Sequence, residues 1–171
     1  DSNERLSREG VFIVDELDGS GDFKRKEEDF CFLCAYVENG VPTIGVVYEP
    51  QKNRMFFAQK NQGAYLTQGV STVRLGSLTP TTWEKSLVGH PKNYKGDKYS
   101  KLYELMGIPE SRLVRSGSMG TRMMQVALEQ THMILGYTKS LKEWDVAAGN
   151  VILNERGISV TYGSKAVKKF L

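Results

Sequence analysis

Three aspartates mark where this chain could do chemistry. Asp15 and Asp18 are separated by two residues at the end of the apolar run Val11-Phe12-Ile13-Val14, and they open into Gly19-Ser20-Gly21. Asp145 comes much later, after Trp144, and leads into Val146-Ala147-Ala148-Gly149. Carboxylates beside a buried strand are costly unless something positive compensates them. Hard divalent cations do so, because Mg²⁺ takes oxygen ligands from one or two carboxylates together with substrate phosphate. The glycine turn after the first pair would expose backbone N–H groups to an anion. Metal carboxylates beside an anion-binding turn point to phosphate chemistry.

Each motif also has a plainer reading. Asp-Gly-Ser-Gly is a common polar β-turn, and an aspartate at a helix N-terminus is favoured without any function. The chemical reading rests on both motifs occurring in one chain, in this order. In residues 14–21 a strand delivers Asp15 and Asp18 to a turn from which both can reach a common cation pair, with the Leu17 carbonyl as a further oxygen. Ser20 opens the next element, where its hydroxyl and N–H can meet a phosphate or an attacking water.

The elements that must position these residues follow two patterns. Residues 1–80 read as an antiparallel β part carrying the first motif, and residues 81–171 as an α/β part carrying the second, with a boundary at Thr79-Pro80-Thr81-Thr82. Strands are expected at Gly10 to Asp15, Asp29 to Glu38, Val41 to Tyr48, Arg54 to Gln59 and Ala64 to Leu66. Asn39-Gly40 is a strong hairpin signal. The near-continuous apolar character of residues 30–37 and 44–48 predicts a sheet covered on both faces. In the second part, short strands are expected at Ser86 to Gly89, Arg112 to Arg115 and His132 to Leu135. Helices are expected at Tyr99 to Met106, ended by Gly107 and Pro109, and at Thr121 to Glu129. A last helix starts near Asp145, places Ala147, Ala148, Val151 and Ile152 on one face, and closes at Glu155-Arg156-Gly157. A strand from Ile158 to Tyr162 follows it.

Bulk properties exclude several classes. A chain of 171 residues can build one sizeable core or two small ones. No apolar run approaches the ~18 residues of a membrane span, and no signal-peptide pattern opens the chain. The net charge of +3 is small, and Lys165-Ala166-Val167-Lys168-Lys169 reads as a solvated face rather than a site for a nucleic acid polymer. Cys31 and Cys34 have C-x-x-C spacing inside an apparent buried strand, where residues three apart face opposite ways and the thiols do not meet. No second cysteine pair completes a zinc site. Buried structural thiols suit a reducing, cytoplasmic setting. His90 and His132 are isolated from any nucleophile.

Taken together, Val14-Asp15-Glu16-Leu17-Asp18-Gly19-Ser20-Gly21 and Lys142-Glu143-Trp144-Asp145-Val146-Ala147-Ala148-Gly149 resemble the inositol monophosphatase superfamily. Its paired signatures are D-P-(I/L)-D-G-T and W-D-x-A-x-G. The resemblance extends through Phe23, Phe32, Val37-Glu38-Asn39-Gly40, Gly45-Val46-Val47-Tyr48-Glu49-Pro50, Gly63-Ala64 and Gly117-Ser118-x-Gly120-x-Arg122. It implies an α/β fold, a layered αβαβα sandwich of the sugar-phosphatase type, with an antiparallel half followed by an α/β half and incomplete at both ends. It implies Mg²⁺-dependent, lithium-sensitive hydrolysis of a phosphate monoester with two or three ions. Asp15, Asp18, Asp145 and the Leu17 carbonyl would hold the metal. Asp18 and Ser20 would be catalytic, and Gly19 and Ser20 would bind the phosphate through backbone N–H groups.

Two departures from the family pattern carry weight. Glu16 stands where proline is usual, which changes turn stiffness but removes no ligand. The family's metal-binding glutamate and a further water-activating acid are expected upstream of Asp1, and Glu4 is a poor substitute by position. The opening Asp1-x-x-Glu4-Arg5-Leu6 looks like the stretch linking that glutamate to the first signature.

Gly120, Thr121, Arg122 and Lys142 are the further expected substrate contacts. Inositol monophosphatases tend to carry an acidic residue before W-D, where Thr138 falls here. Lys139, Lys142 and Arg122 instead suit a second phosphate, as in 3'(2'),5'-bisphosphate nucleotidases, which favours hydrolysis of 3'-phosphoadenosine 5'-phosphate. Inositol-1-monophosphatase and a non-catalytic phosphate-binding homologue remain the alternatives. The expected partner is a small phosphorylated substrate, with no membrane; the oligomeric state is open, a homodimer being common in that family.

Overall fold

The computed structural model describes residues 9–92, 98–135, 141–162 and 165–166. A six-stranded antiparallel meander occupies the first part: β1 (Gly10–Asp18), β2 (Cys31–Glu38), β3 (Val41–Glu49), β4 (Arg54–Gln59), β5 (Gly63–Gln68) and β6 (Ser71–Leu75), paired in sequence order. Between β1 and β2 lies the short helix α1 (Ser20–Lys24). Asn39 and Gly40, both with positive φ, make the tight turn between β2 and β3, the conformation that matches strand twist in a two-residue hairpin.

The second part builds a three-stranded parallel sheet with β7 (Val88–Pro91) between β8 (Leu113–Ser116) and β9 (Met133–Ile134). Helix α2 (Lys98–Leu105) leads into β8, and α3 (Met119–Ala127) leads into β9. Helix α4 (Glu143–Glu155) then returns across the six-stranded sheet, and β10 (Thr161–Tyr162) pairs with β11 (Lys165–Ala166).

Burial explains this arrangement. Along β2, Cys31, Leu33, Ala35 and Val37 are buried and the alternate residues less so, the period of a strand with one packed face. Ala147, Ala148, Val151 and Ile152 of α4 cover that face. Together with Val47, Phe56, Ala58, Ala64, Met123 and Met124 they form one core drawn from both parts of the chain. Val88, Tyr99, Tyr103 and Ile108 form a smaller core beneath α2. Helix α4 ends in a Schellman arrangement: Gly157 N–H donates to Asn154 O at 2.9 Å, Ile158 N–H donates to Leu153 O at 2.9 Å, and Gly157 takes φ 85.

α3 and α4 cover one face of the six-stranded sheet, and Phe12, Val14, Ile44 and Tyr48 on the other are exposed among the described residues, the apolar runs there assigning its covering helices to a segment upstream of the antiparallel part. Some elements differ from the sequence expectations for physical reasons. β6 goes unpredicted because Ser71-Thr72-Val73-Arg74 is a mostly exposed edge with no buried face. β7 starts two residues late because the Ser86 hydroxyl donates to Thr82 O and closes a 3₁₀ turn at Trp83–Lys85. Residues 1–8, which include Asp1 and Glu4, and Lys168 and Lys169 lie outside the described residues.

Gly45 sets the distance between helix and sheet, since a Cβ there would run into the Ala148 carbonyl oxygen and meet Val151 Cβ at 3.1 Å. Overpacking of this kind costs about 1–3 kcal/mol. Gly45→Ala is therefore expected to lower unfolding free energy by about that amount in urea titration; an unchanged midpoint would show that α4 can lift freely off β3.

Candidate metal centre

A β-bulge brings the first two aspartates together. In an unbroken strand, residues three apart point to opposite faces. Here Asp15 pairs with Leu33 and Asp18 with Cys31, three steps along β1 against two along β2. The extra residue turns Asp18 onto the same face as Asp15, the face covered by α4. Asp145 sits in the first turn of α4, which places it over the end of β1. One ligand atom from each of Asp15, Asp18 and Asp145 lies within 4.8 Å of the others.

Each carboxylate is held by one backbone N–H. Leu17 N–H donates to Asp15 Oδ1 at 3.0 Å, Gly120 N–H to Asp18 Oδ2 at 2.6 Å, and Lys142 N–H to Asp145 Oδ2 at 2.6 Å. One such bond orients a carboxylate and leaves it a second oxygen for coordination; Asp18 is met in addition by the Cys31 thiol and the Ser118 hydroxyl. The set is all oxygen, as hard cations prefer, and its span is close to the roughly 4.2 Å between opposite oxygens around Mg²⁺.

The electrostatics of the cluster ask for a cation. Burial pushes the Asp18 carboxyl up from 3.8 to about 6; the Asp15 and Asp145 charges push the same way, against the Gly120 amide and the Ser118 hydroxyl. Asp145 is also raised, first by burial and further by Asp15, against the Lys142 amide. Cys31, whose Sγ lies 3.8 Å from Asp18 Oδ2, is pushed up chiefly by burial and then by Asp18, so its thiol stays protonated.

The turn beside the aspartates is shaped for close approach. Gly19 takes φ 93, and a Cβ there would meet Asp29 O at 2.7 Å and Ser118 Cβ at 3.0 Å. Ser20 follows as the exposed first residue of α1. Across from it, Ser118 caps α3 by accepting from Thr121 N–H at 3.2 Å. Thr121 is fully buried, and its hydroxyl donates to Ser118 O at 3.0 Å. Arg122 is only 6% exposed, and its Nε donates to the same carbonyl at 3.1 Å. Its Nη1 is buried without a partner. Lys142 is the residue preceding α4. Lys139 and Thr138 lie outside the described residues.

Two supporting features escape a reading of sequence. Ser118 is one, although a serine just before an apolar helix is a capping signal. Lys92 is the other: its Nζ lies 2.7 Å from Glu27, 2.9 Å from Asp29 and 3.4 Å from Asp22, fastening the segment after Ser20 to the end of β7. No local pattern announces partners more than sixty residues away. The isolated histidines are structural, with His90 Nδ1 bonded to the Tyr103 hydroxyl at 2.7 Å and His132 Nδ1 accepting from Leu87 N–H at 2.9 Å. Cys31 and Cys34 are free, the first buried and the second partly buried on the other face of β2.

The chain is similar to known proteins over most of its length. Inositol monophosphatase 2 of Saccharomyces cerevisiae is 30% identical over 164 residues, covering 90% of this chain and 55% of that protein. Staphylococcus aureus inositol monophosphatase II, solved with 2'-AMP bound, superposes with a TM-score of 0.81 at 23% identity, covering 95% of this chain and 61% of that one. CysQ from Bacteroides thetaiotaomicron, described as a bacterial member of the same family, superposes with a TM-score of 0.76 at 24% identity, covering 92% and 63%. The structural likenesses show the fold, and the chain spans about half the length of the curated relatives it matches. A profile of the inositol monophosphatase family matches residues 1–169. With that match and three aspartates converging from its two signatures, the chain belongs to the inositol monophosphatase family.

Proposed function

We propose that the intact protein is a Mg²⁺-dependent phosphomonoesterase and that its preferred substrate is a 3'(2'),5'-bisphosphate nucleotide such as 3'-phosphoadenosine 5'-phosphate. The observation that carries the hydrolase reading is the convergence of Asp15, Asp18 and Asp145, each anchored by one backbone amide, beside the Gly19-Ser20 turn. These carboxylates and the Leu17 carbonyl would hold the cations. When bound, the cations supply Lewis acidity toward a water and toward the phosphoryl oxygens.

The remaining work falls to the chain's own groups. The Gly19 and Ser20 amides hold phosphoryl oxygens, where negative charge gathers during in-line displacement. The Ser20 hydroxyl orients the attacking water. Arg122 supports the second anion: a guanidinium this buried, with Nη1 unpartnered, carries a desolvation cost that an arriving anion offsets. The charges of Asp18 and Asp145 both act on the guanidinium, which supports a role beside the cluster. Lys142 stands on the substrate side, whereas the expected contacts Gly120 and Thr121 are turned inward: the Gly120 amide is spent on Asp18, and Thr121 is fully buried with its N–H and hydroxyl bonded to Ser118. Inositol-1-monophosphatase is the second reading, favoured by the yeast relative's name. No helix among the described residues is long and apolar enough to cross a membrane, and free thiols are in keeping with a reducing, cytoplasmic setting.

Phosphate release by the intact protein with Mg²⁺ should be fastest from 3'-phosphoadenosine 5'-phosphate when compared with inositol 1-phosphate and fructose 1,6-bisphosphate. Asp18→Asn should abolish it on all three, and undiminished turnover by that variant would remove Asp18 from its assigned role. Arg122→Gln should lower kcat/KM for the bisphosphate nucleotide by about 10- to 100-fold, the worth of one charged hydrogen bond, with a smaller effect on inositol 1-phosphate. Equal losses on both substrates would contradict a second-anion role.

Stability should respond to pH in a cation-dependent way. Because Asp18 is raised above its ordinary value, its protonated form favours the folded state. That contribution is complete below about pH 4 and is lost as pH rises through about 6 in cation-free protein. Mg²⁺ must displace the same proton. Saturating Mg²⁺ should therefore raise Tm strongly at about pH 7.5 and little at about pH 5, as read by differential scanning fluorimetry. Equal shifts at the two pH values would count against the protonation of this cluster.

A further inference from the structure

Two of the three carboxylates are anchored locally, Asp15 by Leu17 and Asp145 by Lys142. Asp18 is anchored by Gly120, which lies 102 residues away in the first turn of α3. Amides in that turn have no partner within the helix, and the helix dipole favours a carboxylate there. Ser118 aims the turn through most of its polar groups. Its N–H donates to Asp29 O at 3.3 Å, and its carbonyl accepts from Arg122 N–H at 3.2 Å. Its hydroxyl accepts from Thr121 N–H at 3.2 Å and also reaches Asp18 itself, so the cap touches the carboxylate as well as the turn that anchors it. The turn is also seated without clearance, since a Cβ on Gly120 would meet Cys31 Sγ at 2.5 Å, Leu33 Cδ2 at 2.7 Å and Asp18 Oδ2 at 3.1 Å.

We infer that the first turn of α3 positions Asp18: the Gly120 amide, held in place by the Ser118 cap, fixes which carboxylate oxygen faces the shared volume and so sets cation affinity. Ser118 and Gly120 are then positioning residues that coordinate nothing themselves. This inference rests on the cation site of the proposed function. Outer partners of this kind change metal affinity by about 10- to 100-fold when removed. A purely structural cap would change folding stability and leave affinity alone.

Binding of Mn²⁺ as a probe for Mg²⁺, read from loss of the free-ion electron paramagnetic resonance signal, separates these cases in the full chain. The wild type should bind and Asp18→Asn should not. Ser118→Ala, which leaves every ligand oxygen in place, should weaken binding by about 10- to 100-fold, and Gly120→Ala should do so at least as much. Wild-type affinity in Ser118→Ala, with a lowered Tm, would overturn the positioning role even if Gly120→Ala fails to fold. No binding by the wild type, or equal binding by Asp18→Asn, would instead overturn the cation site itself.

Discussion

Three negative charges confined within 4.8 Å are the constraint around which the rest of this structure is organised. At the effective dielectric near a protein surface, two unit charges at that spacing repel by roughly 3 kcal/mol. A hydrogen bond from a backbone N–H to a charged group returns about 1.5–3 kcal/mol, comparable to the repulsion of one pair. Each aspartate receives one such bond. Those bonds orient the cluster without neutralising it, and burial, with the two neighbouring charges adding to it, leaves the Asp18 carboxylate at a cost. A divalent cation removes that cost and needs the very oxygens the amides leave open.

Holding such a cluster requires the two parts of the chain to be fixed to each other. The first part supplies Asp15 and Asp18 on a bulged strand; the second supplies Asp145 on α4 and the Asp18 anchor on α3. A shared core of Leu33, Val47, Phe56, Met124, Ala148 and Ile152 joins them. Gly45 brings α4 close to β3, and Lys92 ties the segment after the first motif to the parallel sheet. The fold thus places rigid elements behind every carboxylate, so small displacements of either helix reach the site directly.

Much of this is legible in the amino-acid sequence because its signals are local. Alternation in residues 31–37, Asn39-Gly40 and the Glu155-Arg156-Gly157 ending all act within a few residues, and the elements they predict are present. The three aspartates are legible through motif order. What escapes local reading depends on partners far along the chain. The bulge at residues 15–18 is set by pairing with β2, and Gly120 meets Asp18 across 102 residues. Lys92 finds its acids only after both parts have folded. Arg122 carries no sequence sign that its guanidinium would be buried.

The most direct test of the shared cluster is an anomalous diffraction map from crystals of the intact protein soaked in Mn²⁺. The account predicts a peak within coordination distance of carboxylate oxygens from residues 15, 18 and 145 together. A well-occupied peak that touches none of them, or only one, would contradict it.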